Sequence, residues 1–234
     1  MFNFNLKSFF LFLLVFIICV PIGKLHHESG HYLAGKAVGI NSRINYMSTI
    51  YINSRSYYKE YFDLYDKNRD AIENGRDFKD KLVLEKLKWH HSLNSFIFTL
   101  GGPLITILTG TIAFILLLRL YKKEKVLSPL HYILVFLSLF WLRAPANLFT
   151  GLYYQINTGH LSRRGDEVKL STYFYLNSQF FDLLLGGIGF LIGCIIIFKI
   201  IPLQHRLSFI LAGLIGGNWA FYFWMYQIGP IVLP

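Results

Sequence analysis

Five apolar runs restrict this chain more than any other feature; they cover residues 8–22, 96–118, 130–153, 180–201 and 207–232. Each of the last four reaches or exceeds the roughly 20 residues that a helix needs to cross a hydrocarbon core of about 30 Å. The first follows Lys7, lacks a small-x-small cleavage site and continues through helix-forming residues to about Val38, so it reads as a membrane helix and not as a removable signal. Pro21 and Gly23 are expected to kink it, because proline removes a backbone donor. The expected fold is an all-α polytopic membrane protein with about five transmembrane helices, forming one domain over residues 1–234. The stretch from Asn147 to Ser171 is where that count can shift by one, by dipping into the membrane without crossing it.

Charge is distributed to match. Only 15% of the residues are charged, against about a quarter in soluble domains, and half of those fall between Arg43 and Lys88. The net charge of +10 does not indicate nucleic acid, since the cations form no single stripe with interleaved aromatics. They lie mostly in the segments that connect apolar runs, where Lys and Arg anchor helices at the lipid boundary. Lys122, Lys123, Lys125 and Arg206 occupy connections on the N-terminal side, while the opposite side holds more cations in a long, acid-rich segment; the two indications of orientation oppose each other. Cys19 and Cys194 both sit in apolar runs without metal-ligand spacing, so neither a disulfide framework nor a cysteine zinc site is suggested.

Residues 41–92 form the one sizeable extramembrane insert. Its first part, rich in Ile, Tyr and Thr, predicts one or two short strands between Ile44 and Ile52. Its second part predicts helix, with Tyr57, Tyr61 and Tyr65 at four-residue spacing as a packed face. In the fourth apolar run, Gly186, Gly187, Gly189 and Gly193 offer small surfaces for close helix packing.

The chemistry-bearing motif is His27-Glu28-Ser29-Gly30-His31, an H-E-x-x-H at the end of the first apolar run. On a helix, positions i and i+4 point the same way, so both imidazoles can reach one ion. Glu28, about 100° round the helix from His27, is placed to act as general base toward water that a zinc ion acidifies. Gly30 leaves room for a substrate or a second helix, and His26 is expected to face the lipid interface. His and Glu are costly in an apolar helix unless they are paired or in use. A catalytic zinc takes three protein ligands and keeps one open position. The third ligand must come from downstream, where His90, His91, His131, His160, Asp166, Glu167, Asp182 and His205 are the candidates. Arg143, inside an apolar run, is expected to be paired or to line a polar cavity.

Three stretches, HHESGHYLAGKAVGI at 26–40, GGPL at 101–104 and the NLFTG…RGDE stretch from Asn147 to Glu167, resemble the site-2 protease family of intramembrane zinc metalloproteases. The resemblance covers about two thirds of the chain. It implies Zn²⁺ as cofactor, His27, His31 and Asp166 as ligands, and Glu28 as the base. It further implies Asn147 as a substrate- or oxyanion-positioning residue, and Gly102-Pro103 as the counterpart of a Gly-Pro in the family's intervening helix. The implied substrate is a membrane-associated peptide or single-span protein, in a multi-pass protein of a prokaryotic cytoplasmic membrane. The chain departs from the family's pattern in three ways: Glu167 follows Asp166 where glycine is usual, Pro145 precedes Asn147, and the Asn-to-Asp gap is longer. No segment is long enough for the PDZ or CBS regulatory domain of many relatives, so a compact form is expected, with the strand-like stretch from Ile44 to Ile52 acting as a substrate-pairing edge or as a cap over the site.

Other functions compete less well. Membrane di-iron desaturases need several histidine boxes, and only Trp89-His90-His91 is reminiscent of one. A membrane-anchored zincin with a water-exposed site would need a larger soluble part than residues 41–92. A non-catalytic relative acting as a membrane chaperone is opposed by the intact Glu28.

Overall fold

The computed structural model describes residues 4–124, 126–160 and 165–234, so Lys125 and the 161–164 part of the RGDE-containing stretch lie outside the described residues. Among the described residues, five helical units are long and apolar enough to cross a membrane: Leu6–Ala37, Lys81–Lys123, Pro129–Thr158, Phe180–Ile200 and Leu203–Val232. The first, α1 (Leu6–Ala37), starts where the Asn5 side chain accepts from the Ser8 backbone N–H at 2.9 Å, a capping contact that satisfies an otherwise free donor. It runs unbroken through Pro21.

A hairpin follows. Strands β1 (Ser42–Ile44) and β2 (Thr49–Tyr51) pair antiparallel, with Arg43 opposite Ile50 and Ile44 opposite Thr49. Asn45 closes the turn: its side chain accepts from the backbone N–H groups of Met47 and Ser48 at 2.9 and 2.7 Å. Strand β2 lies inside the expected stretch, whereas β1 begins two residues before it, at Ser42. Three short helices come next, α2 (Ser54–Tyr57), α3 (Lys59–Lys67) and α4 (Arg69–Glu73). The tyrosine stripe is a packed face, with Tyr57, Tyr58 and Tyr61 surrounding the ring of His91 at centroid distances of 5.2, 4.5 and 6.1 Å.

The second long helix, α5 (Lys81–Lys123), begins well before the apolar run at 96. No helix breaker separates the polar residues 81–92 from that run, so the end of the insert is a rigid extension of the same helix. At about 1.5 Å per residue its 43 residues span about 64 Å, roughly twice a hydrocarbon core.

The third unit is broken. It consists of α6 (Pro129–Ser138), a 3₁₀ turn at Leu139–Leu142 and α7 (Arg143–Thr158). Pro145 cannot donate to the carbonyl of Trp141, and α9 (Phe180–Ile195) crosses at that spot: a Cβ on Gly189 would come within 2.5 Å of the Trp141 oxygen and 2.7 Å of Pro145 Cδ. Between them lies α8 (Asp166–Tyr173). A π turn at Ile196–Ile200 ends the α9 unit; α10 (Leu203–Phe223), a second π turn at Trp224–Ile228 and α11 (Gly229–Val232) complete the chain.

The apolar core sits at the end of the bundle that holds the start of α1. Phe12, Phe16, Phe136 and Phe209 pack ring against ring at 5.0–6.0 Å, over Leu117, Ile196 and Ile200. Outward faces are apolar too: Phe10, Leu11, Leu14 and Ile18 of α1, Leu108 and Ile112 of α5, and Phe190 and Leu191 of α9 are each at least half exposed. Water-facing proteins rarely expose so many large apolar side chains.

Candidate metal centre

Two glycines let α1 and α5 touch backbone to backbone. A Cβ on Gly30 would lie 2.3 Å from the Gly101 oxygen, and one on Gly101 would lie 2.3 Å from the Gly30 oxygen. The room beside Gly30 is therefore filled by a helix. One residue further along α5, a Cβ on Gly102 would fall 2.3 Å from Nε2 of His31 and 2.6 Å from Nε2 of His27, so the glycine clears space where both imidazoles converge.

α5 also orients both rings. His27 Nδ1 lies 3.1 Å from the Thr106 hydroxyl, which itself donates to the Gly102 carbonyl at 2.8 Å and is left to accept from the ring. His31 Nδ1 lies 2.8 Å from the Phe98 carbonyl, which can only accept. Each ring thus carries its proton on Nδ1 and turns the Nε2 lone pair inward. The Phe98 ring stacks on His31 at 5.3 Å, and Tyr51 of β2 packs edge-on against Phe98 at 4.7 Å, giving the site an apolar wall.

Asp166 arrives from the far end of the chain. Gly165 before it has φ +115° and ψ 158°, a conformation open to glycine alone, which turns the backbone into α8. Asp166 Oδ2 stands 3.0 Å from His27 Nε2 and 3.2 Å from His31 Nε2, and the two nitrogens are 3.1 Å apart. Burial by itself would push the Asp166 carboxyl up, and the Arg143 guanidinium 2.9 Å from Oδ2 pulls it back down.

Arg143, at the first turn of α7, ties this together. Its guanidinium donates to Asp166 Oδ2 at 2.9 Å and to Glu167 Oε1 at 2.7 Å, and the Asn147 amide donates to Glu167 Oε2 at 3.3 Å. Glu167 is buried with both oxygens engaged, so it braces α7 against α8, and the Asn147 amide faces that brace. Arg143 is paired, as its place in an apolar run predicts.

Glu28 is buried, and ligand-capable atoms of His27, Glu28 and His31 lie within 4.8 Å of one another. Its Oε1 accepts from Lys24 Nζ at 2.6 Å and its Oε2 from the Thr49 hydroxyl at 3.1 Å.

The donor set fits a tetrahedral divalent cation. Donors about 2.0–2.1 Å from a zinc ion in a tetrahedral shell stand about 3.3 Å apart, close to the triangle seen here. With both Nδ1 protons committed, the three inward atoms face one another as lone-pair donors, an arrangement that a shared proton or a metal cation relieves. His27, His31 and Asp166 are the residues that can hold it.

The other candidates have partners elsewhere. His90 contacts Asn94, His91 sits in the tyrosine cage, His131 caps α6 through Ser128, and His205 contacts Ser8. His160 is exposed beyond the end of α7, and Asp182 lies in the first turn of α9. His26 contradicts its expected place at the lipid interface: it bonds the Thr109 hydroxyl at 2.9 Å and packs on Phe140, because α5 and the 3₁₀ turn cover that side of α1.

Sequence reasoning missed Lys24, Thr49, Thr106 and the Phe98 carbonyl. Lys24 was findable, as a cation one turn before an acid in an apolar helix. Thr106 shares a helix face with Gly102, a weaker signal. Thr49 and Phe98 offered none. No protein-family model, curated protein or solved structure matches the chain.

Proposed function

We propose that the chain is an intramembrane zinc metalloendopeptidase of the site-2 protease type, cleaving a membrane-associated or single-span protein within a lipid bilayer. The observation that carries this is the convergence of His27 Nε2, His31 Nε2 and Asp166 Oδ2 at 3.0–3.2 Å with both ring protons turned outward. The apolar exteriors of the five long helices support the bilayer setting.

When bound, zinc supplies the Lewis acidity that acidifies water and polarises a peptide carbonyl. The chain's own groups do the rest. Thr106 and the Phe98 carbonyl keep both Nε2 lone pairs aimed inward, as outer partners of metal-binding histidines do. Arg143 keeps Asp166 ionised and stops it from swinging away. Glu28, a carboxylate beside the donor triangle, takes the proton from attacking water and passes it to the amide nitrogen as the C–N bond breaks. Tyr51 and Phe98 limit water on one side.

Glu28→Gln is the decisive test. The amide keeps shape but takes no proton, so zinc content stays at the wild-type level while peptide cleavage falls about 10²–10⁴-fold. A wild-type protein that retains no zinc, or a Glu28→Gln variant that cleaves at a near-normal rate, would remove the proposal.

A further inference from the structure

Both oxygens of the Glu28 carboxylate are claimed, and by two different parts of the chain. Lys24, one turn earlier on α1, holds Oε1 at 2.6 Å. Thr49, the first residue of β2, reaches Oε2 at 3.1 Å and the Glu28 backbone oxygen at 2.8 Å. The Thr49 hydroxyl has one proton and sits astride both acceptors, so it fixes the side chain of Glu28 relative to its own backbone.

The hairpin that carries Thr49 is itself seated. Tyr46, in its turn, donates its N–H to the Leu233 oxygen at 2.9 Å and accepts from Trp224 Nε1 at 2.9 Å. A Cβ on Gly229 would meet Tyr46 Cβ at 2.7 Å, so the segment after α10 lies directly against the turn. Thr49 is thus held from both ends, by strand pairing with Ile44 and by a turn pinned to the C-terminal segment.

We infer that Thr49 is a positioning residue, whose hydroxyl, opposite Lys24, sets the Glu28 carboxylate for proton transfer. This rests on the proposed protease function. Glu28 has three side-chain torsions, and a general base must come within about 2.6–3.2 Å of the proton it takes. Displacement of a reacting group by about 1 Å costs on the order of 10²-fold in rate. Valine at 49 keeps the threonine shape for the hairpin and removes the donor; serine keeps the donor and removes the methyl.

The test uses the full chain in lipid nanodiscs, loaded with zinc for cleavage and with cobalt(II) for optical titration by acetohydroxamate, a small ligand that engages both a metal and an adjacent carboxylate. Thr49→Val is expected to lower kcat about 10–100-fold with KM within about twofold. Its metal content and cobalt absorption bands stay as in wild type, and acetohydroxamate binds about tenfold more weakly. Thr49→Ser is expected to stay within about threefold of wild type in both measurements. A Thr49→Val protein with wild-type kcat and hydroxamate affinity overturns the assignment. So does a Thr49→Ser protein as impaired as Thr49→Val, which would mark a packing role. If wild type takes the metal but cleaves no peptide, the protease reading fails while the hydroxamate titration still decides the role of Thr49; a wild type that takes no metal removes both.

Discussion

The two ends of α1 are built on opposite principles. Around Phe12 and Phe16 the helix is held by interlocked aromatic rings, and a Cβ on Gly213 or Gly216 of α10 would come within 3.0–3.1 Å of Phe16 and Leu13. Around His27 and His31 it buries two imidazoles and a carboxylate against glycine backbone, and each ring's Nδ1 has a hydrogen-bond partner on α5. Packing tolerates small shifts, because losing one methyl from a core costs a few kcal/mol at most. A buried polar network does not, because a lost partner leaves an unpaired group in an apolar medium. The aromatic end can therefore lend stability without specifying chemistry, while the polar end depends on position.

The largest expected effect strikes the polar end alone. Asp166→Ala removes one corner of the donor triangle and leaves Arg143 with Glu167 as its remaining partner. Zinc occupancy should collapse and cleavage should fall by more than about 10³-fold, since two ligands make no stable catalytic site. His160→Ala, at an exposed position, should keep its zinc. Metal analysis by mass spectrometry checks both, and zinc held at full occupancy by the Asp166→Ala protein would show that another residue completes the site.

Phe209→Ala should do the reverse. Phe209 is 2% exposed and touches Phe12, Phe16 and Phe136, so its truncation should cost about 3–5 kcal/mol of stability. Zinc affinity of the folded fraction should be unchanged. Detergent-chaotrope unfolding paired with a zinc titration reads both quantities, and a joint loss would mean that the two ends are one cooperative unit.

The smallest effect sharpens the comparison. Thr106→Val keeps the helix and its shape but removes the acceptor for His27 Nδ1. Zinc affinity should drop about tenfold, at the low end for an outer partner of a metal ligand, with the melting temperature shifted by only a few degrees. A competition titration against a chelator measures it; unchanged affinity would place the control of the His27 ring elsewhere.

Much of the fold was legible because it depends on local properties. Apolar length marked all five long helical units, and Ile, Tyr and Thr marked the hairpin. The extension of α5 back to Lys81 was hidden by the change in polarity at about residue 93, since hydropathy tracks environment and not helix ends. The break at Leu139–Leu142 was signalled by Pro145 but masked by the unbroken apolar run. His26 was misplaced because a helical wheel gives a direction, not what stands there.

The sequence by itself determined that His27 and His31 would share a helix face, because four residues make about one turn and nothing distant can alter that. It also determined that the chain would present apolar surface outward, since there are too few polar residues to cover it. Tertiary structure alone decided which of eight downstream residues meets those rings, placing Asp166 3.0 Å from one and 3.2 Å from the other across 139 and 135 residues of chain. It also decided that Glu28 would be gripped by Lys24 and Thr49, and that Asn147 would face Glu167. Such contacts depend on where α7, α8 and the hairpin come to rest on α1 and α5, and that is set by glycine crossings and paired charges summed over the whole bundle.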